Sequence, residues 1–261
     1  MSGAFTVTLI AIGLTSGIVM SLIGASAVMI IVPSLTMLLG YPMHMAIAVS
    51  LLVDVLASLA VGFSYWRHGN VELAQGIWIA VGSIVGAQLG AGCTVVLPDW
   101  FLAISYGLWM VGAGITIWKK GLDRAAITSR FAKYVSFDSN RKRVAVALIL
   151  GFAIGVNCGI FGAGGGVLIM MILMFVLDYP VHKAVGTSTV MMAITATSAT
   201  AGYLLRGYLD IQASLIMAAG TIAGGVAGAR FANESGERLL SRVVGGLFVA
   251  LGLIMTAVRL V

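Results

Sequence analysis

The feature that most constrains this chain is an internal duplication. Residues 13–118 align without a gap onto residues 151–256, at a constant offset of 138. The matched identities include Gly13 with Gly151, Gly24 with Gly162, Ser50 with Ser188, Tyr65 with Tyr203 and Gly86 with Gly224. Chance does not explain so regular an agreement, so the chain consists of two homologous halves.

Composition places both halves in a lipid bilayer. Of the 261 residues, 60% are hydrophobic and 9% are charged, whereas a soluble protein carries about 25% charged residues. A helix that spans the bilayer needs about 20 apolar residues. Eight segments approach that length: residues 5–23, 45–65, 76–96, 100–118, 144–160, 184–205, 211–229 and 239–258.

We therefore predict an all-α polytopic membrane protein with a single transmembrane domain over residues 1–261. Repeat one covers residues 5–118, a loop covers residues 119–143, and repeat two covers residues 144–258. Each repeat has five helical elements, and the second is short, at residues 27–39 and 165–177. The first long helix and the short element of each repeat either cross the bilayer twice or together enter and return on the same side, and the sequence leaves both alternatives open.

The number of crossings sets the relative orientation of the two repeats. Each repeat crosses the bilayer an odd number of times under either alternative, so we predict two inverted repeats. Eight of the 15 basic residues lie between Lys119 and Arg143, which indicates a cytoplasmic loop. The inverted arrangement places 13 basic residues inside and two outside, against 11 and four for repeats in the same orientation. Both termini are then extracytoplasmic, and we expect the first helix to be retained.

Several classes of chemistry lack support in the sequence. Cys93 and Cys158 lie inside predicted spans, so we expect free thiols. His44 and His182 follow Tyr-Pro without nearby carboxylates, and we interpret them as capping or interface residues instead of metal ligands. The chain has no phosphate-binding loop, nucleophile elbow or metalloprotease motif. We expect no enzyme activity, cofactor, metal or nucleic-acid partner, because membrane topology already explains the net charge of +6.

A glycine-rich turn precedes the short element of repeat two. Gly162-Ala-Gly-Gly-Gly166 opens a helix, and the free N–H groups and dipole at a helix start favour an anion. Close packing of helices is an equally good explanation for such glycines. The matched turn of repeat one adds a serine hydroxyl. The predicted substrate contacts in the two turns are Gly24, Ser26, Gly162, Gly164, Gly165 and Gly166.

Glycines spaced by four residues form a stripe on one helix face in each repeat. They are Gly82, Gly86 and Gly90 in repeat one and Gly220, Gly224 and Gly228 in repeat two. We interpret both glycine stripes as sites of close helix packing and not as ligand contacts.

Polar side chains next to these turns extend the candidate site. Ser50 and Ser188 occupy matched positions just inside the helix that follows each short element, and Thr187 precedes Ser188. Asn157 lies ahead of the second turn and can donate through its amide. Many membrane hydroxyls only bond back to a carbonyl one turn earlier, and a helix-to-helix hydrogen bond is the alternative for Asn157.

Asp54 is the candidate for proton coupling. It follows Ser50 by one helical turn, and Ser58 follows by another, so the three share a helix face. A carboxylate at this depth is costly, and intramembrane acids are functional candidates by default. The alternatives are a structural ion pair and a permanently protonated acid. Repeat two has Met192 at the matched position, so this is a single acid, and an ionised carboxylate suits proton coupling better than anion binding.

These motifs together resemble the TauE/SafE family of sulfite exporters, also described as the 4-toluene sulfonate uptake permease family. The resemblance covers about residues 5–258. It rests on four motifs: Gly162-Ala-Gly-Gly-Gly-Val-Leu-Ile, Ala184-Val-Gly-Thr-Ser188, Ala46-Ile-Ala-Val-Ser50 and Pro33-Ser-Leu35. The family typically has a glycine cluster followed by a proline, and this chain divides the two elements between its halves. The first half keeps Pro33. The second half keeps the glycine cluster but has Met171 at the position that matches Pro33.

The resemblance implies a small sulfur-containing or carboxylated anion, moved without nucleotide hydrolysis. Together with the duplication, it leads us to predict a secondary transporter in the cytoplasmic membrane for an anion such as sulfite, sulfoacetate or a sulfonate. The expected partners are that anion and the lipid bilayer. The sequence leaves open whether the protein forms a homodimer. A passive anion channel is the main alternative, and a non-transporting accessory membrane protein is the third.

Overall fold

The computed structural model describes residues 3–23, 26–74, 76–94, 96–120, 140–162, 165–177, 179–232 and 237–260. Within these ranges the regular structure is entirely helical, which confirms the all-α prediction. The helices are α1 (Gly3–Ile23), α2 (Val28–Leu38), α3 (Met43–Arg67), α4 (Ile77–Thr94), α5 (Asp99–Lys120), α6 (Asn140–Phe161), α7 (Gly165–Phe175), α8 (Val181–Leu204), α9 (Ile211–Ala232) and α10 (Glu237–Leu260). Most of the predicted loop 119–143 lies outside the described residues.

The eight long helices coincide with the eight predicted apolar segments, and α2 and α7 are the predicted short elements, at 11 residues each. Glycines with a left-handed backbone follow several helices. Gly69 has φ +71° after α3, and Gly207, its matched residue, has φ +77° after α8. Glycine adopts this conformation without the steric cost that a Cβ brings. The duplication therefore preserves the helix ends as well as the helices.

The outer surface of the described residues is apolar. Large hydrophobic side chains are strongly exposed, among them Val96 at 85% and Leu205 at 84%. Within the described residues, four helical segments are long and apolar enough to cross a membrane by length and composition: Gly3–Met20, Met43–Arg67, Ile77–Thr94 and Arg141–Phe161. An apolar exterior of this extent is stable only against lipid or a partner protein.

The chain divides into two compact units, each built from both repeats. Unit 1 comprises Met1–Val53, Thr94–Asp123 and Tyr208–Val261, and unit 2 comprises Asp54–Cys93 and Arg124–Gly207. The division falls inside α3, between Val53 and Asp54. Each unit therefore has its own core, in which helices from different repeats pack together.

Glycines make the closest helix contacts in both units. In unit 1, α1 lies against α9, and Cβ atoms added to Gly13 and Gly17 would meet the carbonyl oxygens of Met217 and Thr221. In unit 2, α6 lies against α4 in the matched way: Gly151 and Gly155 face the carbonyl oxygens of Ile79 and Ser83. The contacts advance in the same direction along both helices, so each pair is parallel. The predicted packing role of the glycine stripes is confirmed.

A third glycine-rich contact joins α5 and α10, which are matched helices of the two repeats. Both lie in unit 1. Cβ atoms on Gly107 and Gly252 would each meet the other residue's carbonyl oxygen, at 2.8 and 2.6 Å. Further along, Gly114 and Gly245 make the same reciprocal approach. Since the residue numbers rise along α5 as they fall along α10, these two matched helices are antiparallel.

Candidate functional site

The turn between α6 and α7 in unit 2 holds most of the predicted substrate contacts. Helix α6 ends at Phe161, and Gly162 follows with φ +73°. The Gly162 N–H donates to the carbonyl oxygen of Cys158 at 2.7 Å, which closes the last turn of α6. Ala163 and Gly164 lie outside the described residues, and α7 begins at Gly165.

The start of α7 is packed on one side and open on another. Gly165 is buried, and an added Cβ would lie 2.6 Å from the sulfur of Met192. Gly166 is half-buried, and an added Cβ would meet no atom within 4 Å. The first four N–H groups of an α-helix lack intrahelical acceptors and carry a partial positive charge. The arrangement can therefore bring a small anion close to backbone donors.

Three predicted side chains in unit 2 differ in how they are placed. Asn157 is half-buried in the last turns of α6, and Ser188 is buried at 5% exposure in α8. Both take part in interactions within the protein. Thr187 is completely buried, and its hydroxyl accepts a hydrogen bond from the Glu72 N–H at 3.0 Å and lies 3.4 Å from the Glu72 carbonyl oxygen. The Thr187 hydroxyl thus fixes the position of the link that joins α3 to α4.

Glu72 anchors that link through contacts with three residues of the second repeat, all within unit 2. The Tyr179 hydroxyl donates to the Glu72 carbonyl oxygen at 3.2 Å. The Lys183 ammonium donates to the Glu72 carboxylate at 2.6 Å, with both side chains more than 40% exposed. Together with Thr187, these contacts position the start of α8 and its Ser188. Glu72 was not among the predicted residues, although the duplication places Asp210 at the matched position.

The equivalent turn in unit 1 is more closed. Gly24 lies outside the described residues. Ser26 is half-buried, and its hydroxyl oxygen accepts a hydrogen bond from the Val28 N–H at 3.2 Å, at the start of α2. The Val28 side chain is fully buried, whereas its matched residue, Gly166, has no side chain. Tyr106, which was not predicted, donates to the Val28 carbonyl oxygen at 3.1 Å. This turn therefore offers less room than the turn before α7.

The three polar residues that share a face of α3 are all buried. Ser50 is 0% exposed and donates to the carbonyl oxygen of Ile47 at 2.7 Å, which is the local bond expected of many membrane hydroxyls. Its lone pairs still accept hydrogen bonds. Asp54 is 1% exposed, has an interaction partner within the protein, and lies close enough to Cys158 to interact with it electrostatically. A carboxyl buried at this depth is costly without such a partner.

Much of the hydroxyl density on α8 has a structural explanation. Thr195 and Thr197 donate to the carbonyl oxygens four residues earlier. Thr195 also lies 2.7 Å from Ser83, and the amide of Gln88 donates to the carbonyl oxygen of Ser198 at 2.6 Å. These bonds join α4 to α8 inside unit 2. Gln88 and the two threonines therefore have packing roles.

The expectation that His44 lacks a carboxylate neighbour is wrong. The Nδ1 atom of His44 lies 2.7 Å from the Oδ1 atom of Asp99, and Nε2 lies 2.8 Å from the carbonyl oxygen of Thr94. Asp99 is 55 residues away in sequence, so local spacing concealed the pair. The duplication contained one signal for such an acid, because the two repeats have acidic residues, Asp99 and Glu237, at matched positions.

Two further features bear on what the described residues can bind. A surface groove of about 240 Å³ in unit 1 is lined by Thr36, Met37, Ala103, Met255 and Val258. None of these described lining residues is charged. Within the described residues, no group of three or more His, Cys, Asp or Glu side chains could hold a metal ion.

Comparison with known proteins agrees with this architecture. The family model for the sulfite exporter TauE/SafE matches residues 9–255. The chain is 29% identical to the "Probable membrane transporter protein YdhB" of Bacillus subtilis, over 83% of this chain and 86% of that protein. It is 26% identical to the "Probable membrane transporter protein MJ0441" of Methanocaldococcus jannaschii, over 95% of this chain and 94% of that protein.

No solved structure matches the chain. The family match covers nearly all of both repeats, including the turn before α7 and the start of α8. The relatives are named as membrane transporters, and four of the described helical segments are apolar and of membrane-spanning length. The chain therefore belongs to the sulfite exporter TauE/SafE family and is a multi-pass membrane transporter.

Proposed function

We propose that the protein is a secondary active transporter for a small sulfur-containing or organic anion, such as sulfite, sulfoacetate or a sulfonate. One observation carries this proposal: there is open space beside Gly166 at the start of α7, where the first N–H groups of a helix lack intrahelical acceptors. A helix start of this kind favours negative charge. The family's description, sulfite exporter, names an anion of the same class.

The proposed binding residues in unit 2 are the glycines of the turn, Asn157 and Ser188. Gly164, Gly165 and Gly166 supply backbone donors and leave room for the anion. Gly162, whose N–H is bonded to Cys158, contributes the positive-φ turn that leads toward α7. Asn157 and Ser188 supply an amide and a hydroxyl. Thr187 contributes by positioning the first turns of α8, because its hydroxyl is engaged with Glu72.

The matched turn in unit 1 is the second candidate for anion binding. Gly24, Ser26 and Ser50 belong to it. It is the weaker candidate, since the Val28 N–H already donates to Ser26 and the Ser50 hydroxyl donates to Ile47. A rearrangement of Ser26 would release the Val28 donor, which gives this turn a role in another step of the transport cycle.

We propose that Asp54 carries the coupling proton. Its carboxyl is buried at 1% exposure, and gain or loss of a proton changes the charge at a site from which water is largely excluded. Such a change alters the energy of any anion bound nearby. A carboxyl that binds a proton together with the anion would couple uptake to the proton gradient.

Helix directions support inverted repeats as part of this proposal. The matched helices α5 and α10 pack antiparallel, as repeats of opposite orientation require. The parallel contacts of α1 with α9 and of α4 with α6 agree with the same arrangement. With the loop 119–143 on the cytoplasmic side, both termini lie outside.

Flux measurements in proteoliposomes test the proposed transport. Purified protein is reconstituted, and uptake of sulfite, sulfoacetate and taurine is followed with and without a pH gradient. We expect one of the anions to accumulate above its equilibrium ratio only when the gradient is present. Flux that depends on the anion gradient alone would support a passive channel instead.

The variant Asp54→Asn tests the coupling residue. The amide keeps the shape of the side chain but cannot exchange a proton, so we expect gradient-driven accumulation to be lost and downhill flux to remain. Ser58→Ala, one turn further along α3 and also buried, is the matched control. Full gradient-driven uptake by the Asn variant would exclude Asp54 as the coupling acid.

A further inference from the structure

One hydroxyl group on α8 differs from its neighbours in having no hydrogen-bond partner among the described residues. Thr195 and Thr197 each donate to the carbonyl oxygen four residues earlier, which is the usual bond of a threonine inside a helix. Thr200 lies on the same helix and is only 7% exposed, yet its buried Oγ1 atom makes no such bond and no other. The Thr200 hydroxyl therefore needs an explanation that packing does not provide.

A buried hydroxyl without a partner lowers the stability of the folded protein. The group loses its hydrogen bonds to water and gains none in return, whereas valine fills the same space without that cost. Most buried polar side chains in proteins are paired, and the exceptions are concentrated where a ligand or water completes the hydrogen bonding. In a transporter, an unpaired hydroxyl is thus suited to a hydrogen bond with the transported molecule.

The face of α8 that carries Thr200 packs against α3. An added Cβ at Gly62 of α3 would lie 3.8 Å from Thr189, and one at Gly186 would lie 3.1 Å from the Tyr65 Cβ. Residue numbers fall along α3 as they rise along α8, so the two helices are antiparallel here. Thr200 follows Thr189 by 11 residues, which is about three helical turns, so both residues share this face.

The same register places Asp54 at nearly the depth of Thr200. Starting from the contact of Tyr65 with Gly186, Asp54 lies 11 residues along α3 and Thr200 lies 14 residues along α8, in the same direction. The difference of three residues corresponds to about 5 Å, or roughly one helical turn. Asp54 also interacts electrostatically with Cys158, in the last turns of α6. Thr200 therefore lies at the level of the proposed coupling acid.

The end of α6 reaches the same part of α8. Tyr203, one turn after Thr200, donates through its hydroxyl to the carbonyl oxygen of Gly159 at 2.9 Å. Gly159 precedes Gly162 by one turn, and Gly162 begins the turn that leads to α7. All of these residues belong to unit 2. Three elements of the proposed transport site, namely α3 at Asp54, the end of α6 and the second half of α8, thus meet at the level of Thr200.

We propose that Thr200 is a further contact of the transported anion, and that its hydroxyl donates a hydrogen bond to an oxygen atom of that anion. The inference rests on the anion transport proposed above. Sulfite, sulfonate and carboxylate oxygens all accept hydrogen bonds, and a hydroxyl donates one without adding charge. Thr200 lies eight residues, or about 12 Å, beyond Met192, which packs against Gly165. The hydroxyl therefore binds the anion on its way to or from the start of α7.

The variant Thr200→Val separates a binding role from a structural one. Valine keeps the shape of threonine and removes a buried group that has no partner, so we expect the melting temperature to be unchanged or higher. The same change removes a hydrogen bond to the anion. We expect KM to rise about 10-fold or more in proteoliposomes, for whichever of sulfite, sulfoacetate and taurine the unmodified protein transports. The concentration of that anion needed to raise the melting temperature in detergent should increase by a similar factor.

Thr195→Val is the matched control, because it is the same substitution on the same helix at a hydroxyl that has two partners, the Met191 carbonyl oxygen and Ser83. We expect it to lower the melting temperature and to leave KM unchanged. Thr200→Ser keeps a hydroxyl and should keep KM near that of the unmodified protein.

Two results with Thr200→Val would overturn the assignment of Thr200 and leave the proposed function standing. One is an unchanged KM in a protein that transports the anion. The other is a melting temperature lowered as in Thr195→Val, which would show that the hydroxyl has a structural partner. Absence of anion flux in the unmodified protein would instead overturn the proposed function, and the assignment of Thr200 with it.

Discussion

The substitution Gly166→Ala tests the anion site most directly, because it adds a methyl group where the structure has space. An added Cβ meets no atom within 4 Å, so folding is undisturbed. Alanine in place of glycine in a helix even stabilises the folded state by about 0.4–1 kcal/mol, because it restricts the unfolded chain. A loss of transport by this variant therefore cannot be attributed to misfolding.

The expected effect on binding follows from the donors at the start of α7. A methyl group at Gly166 occupies space that the bound anion needs and displaces it from at least one N–H group. A hydrogen bond to a charged group contributes about 1.5–3 kcal/mol, which corresponds to a decrease in affinity of roughly 10-fold to 150-fold. We expect KM to rise within that range, with the melting temperature unchanged or slightly higher.

The assay is initial-rate uptake into proteoliposomes over a range of anion concentrations, with thermal unfolding measured on the same preparation. Gly112→Ala is the matched control, because Gly112 is also helical and an added Cβ there also meets nothing within 4 Å. It shares the stabilising effect but lies in α5, in unit 1. A wild-type KM for Gly166→Ala would refute the role of α7 in binding, and an equal rise in both variants would show that the effect is not local.

Three further predictions concern stability. Gly86→Ala forces a Cβ onto the backbone of α6 and should lower the free energy of unfolding by about 1–3 kcal/mol, measured by thermal unfolding in detergent. Thr187→Val removes both contacts to the Glu72 backbone and should cost about 1–3 kcal/mol by the same measurement; an unchanged melting temperature would contradict the anchoring role. Burial and the hydrogen bond to Asp210 raise the pKa of Tyr41 from 10.0 to about 12. The folded state thus favours the neutral phenol. The contribution of Tyr41 to the free energy of unfolding is therefore complete below pH 10 and is lost as the pH rises through 12. A spectrophotometric titration in which Tyr41 ionises near pH 10 would contradict this prediction.

The sequence predicted the helices well because membrane helices have a strong local signal. Each described long helix coincides with an apolar segment, since a bilayer requires about 20 consecutive apolar residues. The short helices α2 and α7 followed from the duplication, which set both at the same place in their repeats. The glycine stripes predicted close helix packing, and the contacts of Gly13 and Gly151 confirm it.

The sequence did not predict which helices pack together. A glycine stripe shows that a helix has a close neighbour, but it contains no information on which helix that neighbour is. The pairing of α1 with α9 joins residues more than 200 positions apart, as in the contact of Gly13 with Met217. For the same reason the sequence missed His44 with Asp99, because no local pattern connects the start of one helix to the start of another.

Within the candidate site, the sequence identified the turn but could not assign the hydroxyl groups. Ser50 and Thr187 both carry a hydroxyl and are both completely buried, yet one bonds to its own helix and the other to the segment between α3 and α4. The difference depends on what lies opposite each side chain in three dimensions. The prediction of Gly162 and Gly166 was more specific, because a positive φ and an open helix start are properties that glycine itself provides.

The glycine contacts between α4 and α6 also limit how unit 2 can move. Gly82, Gly86 and Gly90 each receive a backbone oxygen from α6, at intervals of one helical turn. A slide of one helix along the other would move these oxygens away from the bare Cα atoms and toward positions that carry a Cβ. The two helices are thus held in axial register, and we expect α4 and α6 to move as one body in any rearrangement of unit 2.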